Sequence, residues 1–63
     1  INEVGNIGIG VKFPKSKLHI TNGDVLIDDT SKGIIMKSPN GSCWRVRVDD
    51  SGNFSSTNIT CPN

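Results

Sequence analysis

The chain has 63 residues, of which 33% are hydrophobic and only Phe13, Trp44 and Phe54 are aromatic, so one thin domain is the most it can build. Seven basic and six acidic residues are scattered to a net charge of +1, which excludes the basic stripe of a nucleic-acid binder. No apolar run approaches the roughly 20 residues of a membrane-spanning helix, and the start, INEVGNIGIG, has neither the basic n-region nor the long apolar h-region of a signal peptide. We therefore expect a soluble chain that neither binds nucleic acid nor inserts into a membrane. Because it begins without Met and in mid-pattern, it reads as a fragment of a longer fibre or surface protein. For so short a chain the apolar burial available falls short of the entropy cost of ordering it. A staple, a metal or partner subunits must make up the difference.

In chain order, residues 1–23 form a glycine-rich β segment and residues 24–63 a set of hairpins. Val4, Ile7, Ile9 and Val11 stand among Gly5, Gly8 and Gly10, which predicts an extended strand whose other face has no side chains and lets another backbone come close. A phosphate-cradling loop is the functional alternative for GNIGIG, but the Lys-Ser/Thr of a P-loop, the GxGxxG order and a following helix are all missing. Pro14 breaks the strand. Lys17 to Thr21 alternates, with Leu18 and Ile20 on one face. The dipeptide Asn22-Gly23 then predicts a tight hairpin into a strand over 24–28, DVLID. Val25 and Ile27 would face one way and Leu26 the other, as in a strand covered on both sides at a subunit interface. A polar turn over 28–33, the apolar run Ile34-Ile35-Met36 and a second turn over 37–41 follow. Five or six strands thus recur every eight to ten residues, with no helical period in between.

The clearest stretch is Gly41 to Cys61, GSCWRVRVDDSGNFSSTNITC. Trp44, Val46 and Val48 alternate with Cys43, Arg45 and Arg47, which predicts a half-buried strand. Asp49-Asp50-Ser51-Gly52-Asn53 supplies turn chemistry, with Gly52 free to adopt positive φ, and a second strand returns. If Val48 faces Asn53 across a four-residue turn, Cys43 faces Asn58, three residues short of Cys61. A Cys43 to Cys61 disulfide then needs a bulge, or a chain that bends back after Ile59. Pairing is the favoured reading, beside buried free thiols or bonds between chains.

Chemistry-bearing residues are few. His19 is the single histidine, on a short strand, and surface or interface packing outweighs a catalytic role there. The pairs Asp28-Asp29 and Asp49-Asp50 lack the alternating ligands and the terminal Glu of a calcium loop and read as turn residues, with an ion shared between chains as the alternative. Two cysteines and one histidine fall short of a structural zinc site. Trp44 packs with Val46 and Val48 or stacks on a sugar; Arg45 and Arg47 are further candidates for contact with a glycan. Asn40-Gly41-Ser42 and Asn58-Ile59-Thr60 match the N-glycosylation pattern. No catalytic set, metal site or cofactor is expected, and so no enzyme.

Two stretches together resemble a known family. GNIGIGVKFPKSKLHITNGDV resembles the "GNVGIGT..P..KLHV.G.V" segment that recurs in tail-fibre and tail-spike proteins of bacteriophages and in related bacterial surface proteins. IIMKSPNGSCWRVRVDDSGNFSSTNI is similar to the "SPNG..y.i.VdnsGnl.tt" hairpin near the C-terminal ends of such fibres. Val11-Lys12-Phe13 departs from the small and hydroxylated residues usual before the proline, and Cys43 and Cys61 lie outside the general pattern. The resemblance implies a homotrimer of intertwined β-rich chains, with a structural or host-attachment role on a virion or extracellular surface. Trp44, Val46, Val48, Val25, Ile27, Ile34 and Met36 are the expected trimer core, and the glycines near the start would let backbones approach at its axis. The alternative is a carbohydrate-binding module of a virion or bacterial surface protein, acting on a host-surface glycan.

Overall fold

The computed structural model describes residues 5–63, so Val4 of the expected first strand lies outside the described residues. The chain is all-β. Its strands are β1 (Ile7–Ile9), β2 (Leu18–Ile20), β3 (Ile34–Lys37), β4 (Cys43–Val48) and β5 (Phe54–Ile59). They form two sheets, a pair β1-β2 and a meander β3-β4-β5, and no strand of one sheet packs on a strand of the other.

The meander follows from alternation in β4 and from two turns of the same construction. In the first turn the Ser38 N–H donates to Ser42 O at 2.8 Å and the Gly41 N–H to Ser38 O at 2.9 Å. In the second the Asp49 N–H donates to Asn53 O at 2.9 Å and the Gly52 N–H to Asp49 O at 3.0 Å. Gly41 (φ 91°) and Gly52 (φ 84°) take the left-handed conformation that ends a three-residue hairpin loop. Side chains complete both turns: Asn40 Oδ1 accepts the Ser42 N–H at 3.1 Å, and Asp49 Oδ1 accepts those of Ser51 at 3.0 Å and Asn53 at 2.8 Å. Asn53 therefore closes the turn against Asp49. Val48 pairs with Phe54 and Cys43 with Ile59, one residue on from the register expected with Val48 opposite Asn53.

The pair β1-β2 is parallel, with Ile7 opposite Leu18, Gly8 opposite His19 and Ile9 opposite Ile20. Parallel neighbours ordinarily need a crossover of a dozen residues or more. Here residues 10–17 suffice, because side chains lock the loop. The Lys15 N–H donates to His19 Nδ1 at 3.0 Å, Ser16 Oγ to Leu18 O at 2.9 Å and Asn6 Nδ2 to Pro14 O at 3.3 Å. The close backbone approach expected of the glycines occurs inside this chain: a Cβ on Gly8 would lie 2.6 Å from Val11 O, and one on Gly10 2.5 Å from Thr21 O.

One expected element is missing. Residues 24–28 form no ladder, although Asn22 does take positive φ (60°). A two-residue hairpin needs Thr21 to open the ladder, and the Thr21 N–H is already donated to Ile9 O at 3.0 Å. Within the single chain Val25, Leu26 and Ile27 are exposed.

Among the described residues Cys43, 3% exposed, is the one buried hydrophobic side chain. The chain exposes 5519 Å², against about 3,950 Å² for a compact monomer of this length, an excess of about 1,600 Å². Its radius of gyration is 14.5 Å, where a compact chain of this length has about 10.6 Å. Folding has ordered the strands without enclosing a core.

Candidate functional site

The meander has one apolar face and one mixed face, both fixed by register. Cross-strand partners share a face, so Ile34 and Met36 stand beside Val46 and Trp44, and Phe54 stands beside Val48. These six side chains make one apolar surface. Five of the residues named from the pattern (Ile34, Met36, Trp44, Val46 and Val48) are brought together there by the structure. Phe54 was missed, because the register expected from the sequence left Val48 opposite Asn53; at 82% exposed it is the least covered member. Val25 and Ile27 reach the same surface from the unpaired segment. They flank a shallow groove of about 280 Å³ whose floor includes Val46, Val48 and Phe54.

Trp44 is half-buried at the other end of the surface. Its indole N–H donates to Ser38 Oγ at 3.0 Å, and Ser38 Oγ stands 2.6 Å from Asn40 Oδ1 and 3.2 Å from Ser42 O. The ring is thus tied to the turn that starts β4, and its polar edge is satisfied inside the chain.

The opposite face carries Cys43, Arg45 and Arg47, with Lys37, Ile35, Ile59, Thr57 and Ser55 as their neighbours across the ladders. Neither guanidinium makes a hydrogen bond or ion pair with a described residue. Trp44 and the two arginines are therefore on opposite sides of the sheet, and a glycan could meet one or the other but not all three in one site.

Cys43 and Cys61 form a disulfide with Cα atoms 5.2 Å apart. Cys43, Ile59 and Cys61 have the same parity in the observed register, so their side chains share a face, and the chain past Ile59 leaves the ladder and bends inward. Near this bond the Asn58 side-chain N–H donates to Cys43 O at 3.0 Å. That nitrogen is the atom a glycan would use at the second sequon, whereas Asn40 of the first sits in the exposed turn.

The remaining candidates serve the backbone. His19 is half-buried, with Nδ1 on the Lys15 N–H and Nε2 3.4 Å from Thr21 Oγ1. Asp29 Oδ1 accepts both the Ser31 hydroxyl at 2.7 Å and the Ser31 N–H at 2.9 Å, and these bonds, with Lys32 nearby, hold its carboxyl below the usual range. Among the described residues no three His, Cys, Asp or Glu side chains converge on a point that could hold a metal. No protein family matches the chain, and neither a curated protein nor a solved structure matches it.

Proposed function

We propose that the chain is a structural trimerisation or tip module of a phage or viral fibre, working in host attachment at the surface of a virion or cell. The observation that carries the reading is the uncovered apolar face of the meander. A surface with Phe54, Val48, Met36 and Ile34 each more than half exposed is costly in water and favours a partner of matching character. The exposed area is large enough for three copies. A standard interface takes about 800 Å² from each partner, and in a closed ring of three each chain makes two such contacts, about the excess of 1,600 Å² that this chain exposes. The disulfide fits an oxidising, extracellular setting. Sedimentation equilibrium of the oxidised chain at micromolar concentration is expected to give three chain masses. A stable folded monomer under those conditions overturns the proposal.

A second reading, binding of a host-surface glycan, draws on Arg45 and Arg47 on the far side of the sheet, whose guanidinium groups pair with no described residue. Glycan-array binding that is lost in Arg45→Ala and Arg47→Ala, with the oligomer intact, would favour it. Arrays with no signal from the assembled chain would dismiss it.

A further inference from the structure

Two features of the backbone remain without a use in the single chain. The first is the segment 24–28, DVLID. Its composition is that of a strand, with three successive aliphatic residues, yet residues 22–28 make no hydrogen bond, main chain or side chain, with any described residue. Leu26 is 83% exposed and Val25 61%. The second is the outer edge of β5. Because the Asp49 N–H bonds Asn53 O, the pair 49/53 is hydrogen-bonded and the bonded pairs of the ladder continue at 47/55, 45/57 and 43/59. Phe54, Ser56 and Asn58 therefore direct their backbone N–H and C=O groups away from β4. No described backbone group meets them.

Exposed edges of this kind are normally defended by a charge, a proline or a bulge. The strand β5, FSSTNI, has none of the three. The other edge of the meander is better protected: β3 is shorter, ends on Lys37 and runs into Pro39. An undefended edge and an unpaired strand-like segment of similar length are complementary.

We infer that residues 24–28 of one copy add as a fourth strand to the outer edge of β5 in a second copy. The register that places Val25 and Ile27 on the apolar side sets them beside Phe54 and Ser56, extending the face that the proposed function already buries. Val25 and Ile27 line only open grooves in their own chain, Ile27 two of them, so little packing is given up on transfer. The inference rests on the reading of the chain as a self-associating module and says which backbone joins the copies.

The test uses the 63-residue oxidised chain. A sample mixing isotope-labelled and unlabelled copies is expected to give intermolecular proton contacts between 24–28 and 54–58, with slow exchange of the Ser56 and Asn58 amides. Ser56→Pro removes an outward N–H and no bond to β4, so the meander should keep its ladder while association weakens roughly tenfold, as for one or two unmade ladder bonds. In an antiparallel addition with Ile27 opposite Phe54 and Val25 opposite Ser56, the donor N–H groups that face β5 are those of Val25 and Ile27. Val25→Pro therefore acts on the donor segment and should have the same effect; combining it with Ser56→Pro should add little, because both remove one contact. An assembled chain with fast exchange at 24–28 and no such contacts overturns this inference and leaves the proposed function standing. A monomeric chain overturns both.

Discussion

The two sheets solve the same problem, ordering a backbone that has almost no core, by different means. The meander relies on side-chain alternation, two matching turns and a covalent bond. The parallel pair β1-β2 relies on what is absent: no side chain at Gly8 or Gly10, so that the loop over 10–17 and Thr21 can close against the strand. One is stabilised by added chemistry and the other by removed atoms. Since no strand of either sheet packs on the other, each should be breakable by itself.

Reducing the disulfide is the largest expected blow. In the chain-entropy model the loop closed by Cys43 and Cys61 is worth about 3 kcal/mol, nearly all of it to the meander. Hydrogen exchange with and without reductant should show β4 and β5 amides losing protection while the Thr21 N–H keeps its own. Equal loss in both sheets would mean that they unfold as one unit. Next comes Gly10→Ala. The left-handed backbone alone costs about 1–2 kcal/mol with a side chain, and the contact with Thr21 O adds to it, so the β1-β2 pair should open while the meander persists. Gly52→Ala is its control, with a similar φ and open space around the new Cβ, and should cost only the backbone share. Denaturant titrations of the two variants measure the difference.

The smallest effect concerns Asp29, in the segment between the sheets. Its bonds to the Ser31 hydroxyl and N–H lower the folded-state carboxyl pKa, so whatever stability it lends is present above the ordinary carboxylate range and is lost as pH falls through the lowered value. Solvent screens so exposed a group, and the contribution is small. NMR titration should place the Asp29 midpoint below the ordinary carboxylate value, and Ser31→Ala should raise it toward that value. An unchanged midpoint in that variant would remove the hydroxyl as the cause.

The meander was legible because its signals are local. Alternation in Trp44 to Val48 and the turns SPNG and DDSGN each specify geometry within a few residues, and the apolar face follows from them. The register slipped by one residue because Asp49 looks like turn composition yet pairs with Asn53, whose N–H its carboxylate also takes. The parallel pair was not legible. Alternating Gly and Ile over 7–10 announces close approach but carries no sign of which backbone approaches, and the answer lay at Thr21. Asn22-Gly23 misled for the same reason: a hairpin dipeptide has force only while the residues beside it are free to pair. Phe54 entered the candidate surface only once the register was known.

The turn around Gly52 has a consequence for the chemistry of the whole molecule. With Asp50, Ser51 and Gly52 between the closing pair, Cys43 and Cys61 meet on one side of the sheet; slip the hairpin by a single residue and they point to opposite sides. In the observed register one bend after Ile59 brings the two sulfurs together, whereas the slipped register needs a larger departure from the ladder. Oxidation therefore favours chains that have counted the turn correctly, and forming the bond reports on the register of the hairpin.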